Sequence, residues 1–458
     1  MGFRDLVLFY VVTGISLRWI ATAATAGPGA ILIWLVAGCG FFVPLALSVL
    51  ELSSRFPEEG GLYAWSKRAF GDFTGFMAGW SYWASNVPFY PGLIYFAAAN
   101  ALYIGGNRWN HLSTSGTYFI LFATLGLLVP VFLNIIGLNV GKWLHNVGAI
   151  GTWVPIAILI GMGTVTLVKF GSATRFSWPQ LIPSTHLKDV IFWSTIVFAL
   201  GGCEAASFMG EEIQSPHRNM PRALLIAGTL ITVGYILGTA AILWALPQSQ
   251  VSGLQGFMQA IAEISRRLGV TWITGIIALL ISISTVGAVG AWLAASARLP
   301  FVAGLDRYLP KPFGKLHPRW NSPYVALLVQ GGCSVIIAFL GQAGSSIRGA
   351  YEVLVNMGVI TYFLPYLALF GSMIKLQAVA SGPEVMRVPG GKPVAYFLAT
   401  LGILTTLVTI ALSCFPDPEE VDKTLTVMKV VGLTAGLLGL GVVFYGVGKS
   451  RFRAGAPG

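Results

Sequence analysis

Apolar stretches of about 20 residues, the length that an α-helix needs to cross a bilayer, recur along the whole chain and alternate with short polar connections. The pattern predicts an all-α integral membrane protein with twelve transmembrane helices. It leaves no room for a soluble domain between the spans. The predicted spans are residues 6–25, 29–55, 73–104, 117–137, 143–168, 190–212, 222–246, 270–302, 323–340, 351–374, 393–414 and 425–447.

Two of these spans, the first and the sixth, are interrupted by glycine and charge. The first contains TGISLRW at residues 13–19, and the sixth breaks at Gly201-Gly202, directly before Glu204. A charge and a helix break at membrane depth are tolerated where they line a cavity or lie enclosed in protein. We favour a discontinuous helix at a binding site. The alternative is a glycine kink with Glu204 hydrogen-bonded inside a bundle.

The two interruptions stand five spans apart, in corresponding positions of two halves. Such a pair is typical of inverted-repeat membrane transporters, whose binding site lies at the breaks. We therefore expect a first repeat over residues 1–168, a second over residues 190–374, and two added helices over residues 393–447, all within one unit.

Composition supports a membrane protein and excludes several functional classes. The 458 residues are 55% hydrophobic and only 10% charged, whereas soluble domains carry roughly 25% charged residues. Four cysteines at unrelated spacings predict neither a disulfide framework nor a metal site. The five histidines are scattered singly, so we expect no enzyme activity and no cofactor.

The positive charge is distributed unevenly between the two sides of the predicted membrane. Of the 28 Lys and Arg residues, eighteen fall on the side of the N-terminus and eight on the other, while Arg18 and Lys429 lie within spans. Because cytoplasmic loops collect Lys and Arg, both termini are predicted to be cytoplasmic in the cell membrane. The net charge of +11 is explained by this bias, so nucleic acid is not an expected partner.

Arg18 lies in the first span, where a full charge costs at least about 2.5–3.5 kcal/mol. Two directions remain open for its side chain. It reaches the outer surface, or it faces inward and takes a substrate carboxylate or pairs with Glu204 in the empty site.

The second span ends in a turn that carries local signals. Glu51 and Arg55 are one helical turn apart and are expected to pair. Pro57, Gly60 and Gly61 predict a tight turn at the inner surface. We interpret this region as structural or gating.

Three segments resemble one family of membrane proteins. LELSSRFPEEGGLYAWSKRAFG, at the end of the second span, resembles the E-L-x-x-x-F-P-x-x-G-G-x-Y…A-F-G signature of amino acid–polyamine–organocation (APC) superfamily permeases. The sixth span is similar to that family's G-x-E…E-x-x-x-P-x-R-x-x-P-R pattern. The eighth, GAVGAWLAASARLPFVAGLDRYLP, resembles the bacterial arginine/agmatine antiporters. The resemblance implies a 5+5 inverted repeat of the LeuT type, alternating access, and amino acids or polyamines as substrates.

The resemblance also implies roles for single residues. Phe198 falls at the position of an aromatic gate, and Trp292 at that of a substrate-contacting tryptophan. Two departures stand out. The family's G-S-G-I-F at the first break, whose backbone N–H groups bind the substrate carboxylate, is replaced by residues 13–19. Thr152 takes the place of a lysine found in several proton-coupled members, and it leaves no proton route there.

These observations define a candidate site for a small zwitterion. Backbone N–H groups at the first break suit an anion, while carbonyls and Glu204 at the second suit a cation. The candidate substrate-binding residues are Thr13, Gly14, Ser16, Arg18, Phe198, Gly201, Gly202, Glu204 and Trp292, and the coupling or gating residues are Glu204, Phe198 and Thr152.

The favoured function is a secondary active transporter or exchanger that moves amino acids or related amines across the cell membrane by alternating access. The alternatives are a polyamine transporter of the same fold and a non-transporting sensor or partner subunit. Protons are a candidate coupling partner, the bilayer surrounds the chain, and the sequence does not define the oligomeric state.

Overall fold

The computed structural model describes residues 2–56, 60–136, 138–184, 187–205, 207, 213–297, 308–379, 382, 385–416, 420 and 422–453. In these ranges the regular structure is entirely helical. The α-helices are α1 (Phe3–Gly14), α2 (Leu17–Thr25), α3 (Gly29–Ala37), α4 (Val43–Arg55), α5 (Gly61–Phe70), α6 (Asp72–Gly105), α7 (Gly116–Ile136), α8 (Leu138–Phe170), α9 (Trp178–Leu181), α10 (Leu187–Ala199), α11 (Pro216–Ala245), α12 (Gly256–Leu268), α13 (Trp272–Ser296), α14 (Tyr324–Gln342), α15 (Ile347–Leu376), α16 (Gly391–Ser413) and α17 (Lys423–Arg453).

Ten spans of 19 to 43 residues in the described part are long and apolar enough to cross a membrane. One of them joins α3 and α4 through a π-helical turn at Gly38–Phe42. The chain is therefore a multi-pass membrane protein. Helices α1, α2 and α10 are each too short to cross alone, and they come from the first and sixth predicted spans.

The first predicted span is broken where the sequence placed its interruption. Helix α1 ends at Gly14, Ile15 and Ser16 are extended, and α2 begins at Leu17. Extended backbone cannot continue the i to i−4 hydrogen bonds of a helix, so this turn leaves N–H and C=O groups that need other partners.

The sixth predicted span is also broken at its glycine pair. Helix α10 ends at Ala199, and Gly202 has a φ of 110°, a left-handed conformation that glycine adopts without a Cβ clash. A short helical turn follows from Cys203 to Ala205. Glu211 and Glu212, part of the motif in this span, lie outside the described residues.

The long helices enclose the two broken ones. Helix α6 is buried on nearly all sides and packs along α13 and α15. Helix α13 also packs along α8, and α15 along α16. The first broken helix lies against α11, which contacts both α1 and α2, while α10 of the second contacts α2 and α16. Both breaks therefore lie inside the bundle.

One amphipathic helix, α12, lies outside the candidate spans. Its residue Glu263 forms ion pairs with Arg266 at 2.8 Å and Arg267 at 2.7 Å. The hydrogen bond from Arg266 holds the pKa of Glu263 below its ordinary value, and both arginine charges add to this effect.

Candidate functional site

Glu204 is fully buried at the second break, and three donors surround its carboxylate. The hydroxyls of Tyr82 and Tyr362 donate to Oε1 over 3.0 and 2.6 Å. The backbone N–H of Gly202 donates to Oε2 over 3.1 Å. A buried carboxylate is stabilised when neighbouring donors replace the water that would hydrate it. The second break therefore stabilises the buried carboxylate of Glu204.

Gly201, at the second break, leaves room for the Tyr362 side chain to reach Glu204. A Cβ on Gly201 would lie 2.7 Å from the Tyr362 ring and 3.0 Å from its hydroxyl. Any other residue at position 201 would displace Tyr362 from Glu204. The Gly201-Gly202 pair thus serves both the backbone turn and the hydrogen bonding of the carboxylate.

Tyr235 of α11 joins the two breaks. Its hydroxyl accepts from the N–H of Ser16 at 3.0 Å, and it faces the carbonyl oxygens of Gly14 at 2.9 Å and Ala199 at 3.3 Å. The Tyr235 ring stacks on Trp34, with ring centroids 4.2 Å apart. One side chain therefore satisfies groups that both helix interruptions left without helical partners.

Arg18 lies at the start of α2 and is enclosed by protein, with 1% of the residue exposed. Its guanidinium lies 3.9 Å from the ring centroid of Trp19 and 4.9 Å from that of Phe89. The side chain therefore does not extend to the surface. Within the described part of the chain no ion pair joins it to Glu204.

An aromatic cluster fills the space between Arg18 and Glu204. Phe198 packs edge-on against Trp19 at 5.3 Å and against Tyr362 at 5.1 Å. Phe89 lies 6.5 Å from Phe198 and 6.3 Å from Trp292, so it stands between the two aromatics that the sequence singled out. Phe198 contacts both the ring that covers Arg18 and the ring that binds Glu204.

A large cavity of about 1100 Å³ approaches this cluster from one side. It extends from the connection at residues 247–255 to the aromatic cluster, on the side that charge counting predicts to be extracellular. We call it the outer vestibule. Its walls include Thr22 of α2, Thr195 of α10 and Asn356 of α15, and it reaches Trp19 and Tyr351. By contrast, the cavity that Gly14 and Gly201 line at the breaks measures about 10 Å³, room for roughly one water molecule.

On the opposite side lies a set of hydrogen-bonded residues that we call the inner network: Glu51, Ser54, Arg55, Gln377, Met386 and Val388. The expected Glu51–Arg55 ion pair is confirmed at 2.7 Å. Glu51 also accepts from Gln377 at 2.7 Å and from the Val388 N–H at 2.8 Å. The network ties the end of α4 to the end of α15 and to the connection after it.

Of the predicted turn beside the inner network the structure describes Gly60 and Gly61, while Pro57 lies outside the described residues. Gly60 and Gly61 have φ angles of 108° and 43°, which only glycine adopts readily. A Cβ on Gly61 would overlap the hydroxyl of Ser207, after the second break. Gly61 therefore lies directly against Ser207, three residues after Glu204.

Thr152 lies on α8, the helix that packs along α13. A Cβ on the neighbouring Gly151 would overlap the side chain of Ser284. Ser284 and Thr285 both donate their hydroxyls to the carbonyl of Ile281, within their own helix, at 3.0 and 2.7 Å. This helix pair is held by close approach of small residues.

The predicted site residues thus fall into three groups. Glu204, Gly201, Gly202 and Phe198 meet at the second break, Gly14 and Ser16 meet Tyr235 at the first, and Arg18 and Trp292 border the aromatic cluster. The Thr13 side chain lies outside the described residues. Sequence reasoning missed Trp19, Phe89, Tyr235 and Tyr362. For the two tyrosines the sequence offered one signal: a tyrosine hydroxyl buried in an apolar span needs a hydrogen-bond partner.

Comparison with known proteins agrees with this architecture. The amino acid permease family profile matches residues 2–437. An uncharacterised transporter of Legionella pneumophila is 30% identical over 425 residues, covering 91% of this chain and 89% of that protein.

Two proteins of Lactococcus lactis are more distant relatives. One is named as a probable agmatine/putrescine antiporter and is 22% identical over 86% of this chain and 84% of its own length. The other, a glutamate/gamma-aminobutyrate antiporter, is 23% identical over 88% of this chain and 81% of its own length. Family and relatives are transporters and not enzymes. With its multiple apolar spans, its broken helices and this match over nearly its whole length, the chain belongs to the amino acid permease family of the APC superfamily.

Proposed function

We propose that the protein is a secondary transporter or exchanger that moves amino acids or related amines across the cell membrane by alternating access. The single observation that carries this proposal is the pair of broken helices joined by Tyr235, with the Glu204 carboxylate at one break. In this proposal the chain crosses the membrane twelve times, spans 1–5 and 6–10 form the inverted repeats, and both termini are cytoplasmic.

The chemistry of Glu204 and the names of related proteins both support a substrate that carries an amine. A primary ammonium suits Glu204, whose carboxylate already accepts from three neutral donors and would gain a charge-assisted bond from a cation. Relatives are named for glutamate, gamma-aminobutyrate, agmatine and putrescine. A polyamine transporter of the same fold is the second candidate, because the amine antiporter matches most of the chain. A sensor that keeps the fold without transporting remains the third hypothesis.

The gating step follows from the cluster between the outer vestibule and Glu204. Trp19 and Phe198 pack against each other, and both must move before a substrate reaches the acid from the vestibule. At the other end the inner network holds α4 on α15. Alternating access then requires the aromatic contact and the inner network to open in turn.

Uptake by purified protein in liposomes tests the proposal. A panel of radiolabelled L-amino acids, agmatine and putrescine is offered to vesicles that are empty or preloaded with the same compound. We expect saturable entry of at least one panel member, faster into preloaded vesicles if the protein exchanges. If no member enters or is exchanged above protein-free vesicles, transport is rejected and the sensor hypothesis is favoured.

Phe198 and Trp292 are predicted to form walls of the pocket. We expect Phe198→Ala and Trp292→Ala each to raise the KM of uptake about tenfold, the effect of losing roughly 1–2 kcal/mol of aromatic contact with a bound substrate. Uptake kinetics and thermal unfolding are measured together. Phe397→Ala and Trp272→Ala are matched controls, since both side chains are exposed on the outside of the bundle. An unchanged KM in both site variants would show that the pocket lies elsewhere.

Transport is predicted not to require sodium. Thr152 cannot carry a proton as a lysine ammonium does, and the buried guanidinium of Arg18 would repel a cation nearby. Proton coupling through Glu204, exchange and facilitated uptake are the remaining modes. Uptake should therefore be indifferent to replacing sodium by choline on both sides of the vesicle. Strict dependence on an inward sodium gradient would contradict this interpretation.

A further inference from the structure

Arg18 carries a buried positive charge that the described part of the chain leaves without a counter-charge. No carboxylate forms an ion pair with it there, and its Nε and Nη1 atoms have no hydrogen-bond partner. The polar groups that act on it most strongly are the neutral hydroxyls of Tyr351 and Tyr235, and Tyr351 also shares a side-chain hydrogen bond with the guanidinium. A buried ion ordinarily has a partner for its charge and for each of its donors, so the missing counter-charge and the unpartnered Nε and Nη1 are the features to explain.

The surroundings hold the guanidinium in place without neutralising it. The faces of Trp19 and Phe89 attract a cation through their ring quadrupoles. Gly92 of α6 lies against Nη1, since a Cβ there would be 3.2 Å away, and the side chain of Leu354 borders the same spot. Aromatic faces and a bare backbone position the charge, yet none of them accepts an N–H.

The outer vestibule reaches this region. Trp19, whose ring covers the guanidinium, and Tyr351, whose hydroxyl is near it, both line that cavity. Arg18 is therefore separated from the vestibule by single side chains and not by a whole helix. A ligand that moved Trp19 aside would meet the unpaired donors directly.

The first break does not provide an anion site of its own at Ser16. The Ser16 N–H donates to Tyr235, so that backbone donor is occupied. The guanidinium offers donors that remain without acceptors, and a carboxylate supplies up to four lone-pair sites for them. The positive charge of Arg18 and its unpartnered N–H donors are therefore both suited to a carboxylate ligand.

We propose that Arg18 binds the carboxylate of the transported substrate, so that this permease selects amino acids and rejects their decarboxylated amines. The inference rests on the proposed transport function and deepens it. Glu204 and Arg18 then hold the two ends of a zwitterion, with Phe198 between them. An amine without a carboxylate would leave Arg18 unneutralised and add a second positive charge to the same region.

The test compares matched pairs of compounds that differ by one carboxylate. L-ornithine with putrescine, L-arginine with agmatine, and L-leucine with isoamylamine are offered to the purified protein in detergent and in liposomes. Thermal stabilisation and uptake are both recorded. We expect the carboxylate-bearing member of at least one pair to stabilise the protein and to be taken up, and its amine partner to do neither.

Variants then assign the selectivity to the guanidinium. Arg18→Gln should weaken binding of the carboxylate ligand by at least about tenfold, the value of one charge-assisted hydrogen bond, and Arg18→Lys should restore part of it. Arg266→Gln, which removes an exposed arginine of α12, is the matched control and should bind normally. Gly92→Ala is a second variant that leaves the charge in place. Its Cβ would push on Nη1 while raising helix propensity, so weaker binding without loss of stability is expected.

The outcomes distinguish a failure of the proposed Arg18 role from a failure of the proposed transport function. If amines are transported as well as or better than their amino acids, or if Arg18→Gln binds carboxylates as tightly as the wild type, the carboxylate role of Arg18 is wrong and transport stands. Should Arg18→Gln fail to fold, the matched pairs measured on the wild type still decide, since amines that bind as tightly as their amino acids overturn the inference. Where no compound of the panel binds or enters, the proposed function fails, and the inference falls with it.

Discussion

Replacing Glu204 by Gln is expected to leave a folded protein whose transport has fallen by about 10- to 100-fold, the loss that corresponds to one charge-assisted interaction of roughly 1.5–3 kcal/mol. The Gln carbonyl can still accept from Tyr82 and Tyr362. Its amide group would then meet the Gly202 N–H, donor against donor. The variant has no negative charge for an ammonium and no carboxyl group to carry a proton.

The measurement is uptake into liposomes across a range of pH, with thermal unfolding in detergent as the check on folding. Glu263→Gln removes an acid from α12, far along the chain from both breaks, and serves as the matched control. We expect the control to transport normally. Wild-type uptake together with wild-type pH dependence in Glu204→Gln would eliminate Glu204 as a substrate or proton carrier.

Tyr235→Phe is expected to impair both stability and transport, although it removes a single oxygen atom. The Ser16 N–H would lose its acceptor, and the carbonyls of Gly14 and Ala199 would lose their shared donor. A buried backbone group without a partner costs about 1–3 kcal/mol. Because the lost atom joins the two breaks, we expect the relative position of α1 and α10 to become less defined and the maximal uptake rate to fall.

A second tyrosine provides the comparison that isolates this effect. Tyr118 also donates to a backbone carbonyl, that of Ala98, over 2.8 Å, but on α7 and away from the breaks. Tyr118→Phe should cost less thermal stability, because it removes one part-buried bond and not three bonds of which two are buried, and should leave uptake unchanged. If both variants lose stability and neither loses transport, Tyr235 is a structural residue without a role in the transport cycle.

The features that sequence alone predicted are those encoded by local spacing. The Glu51–Arg55 pair follows from a separation of one helical turn, and the turn at Gly60 and Gly61 follows from the backbone conformations that glycine allows. The two helix breaks were located for the same reason, since glycine, serine and charge inside an apolar run mark a discontinuity within a few residues of where it occurs.

The partners of these residues could not be predicted, because helix packing brings them together from distant positions. Tyr82 and Tyr362 lie 122 and 158 residues from Glu204 in the chain. Tyr235 lies more than 200 residues from Ser16. In an apolar span a tyrosine fits both lipid-facing and pocket positions, and periodicity does not tell these apart. The direction of Arg18 remained open for the same reason.

Under the proposed alternating access, the inner network determines how the inner side of the protein opens. Glu51 holds a guanidinium, a side-chain amide and a backbone N–H at once, and Arg55 additionally donates to the carbonyl of Val379 and the amide of Gln377. Because the Glu51 or the Arg55 side chain takes part in each of these bonds, losing one partner weakens the geometry of the rest. The end of α4 should therefore separate from α15 in one cooperative step, so that partly opened forms are sparsely populated and this gate behaves as a two-state latch.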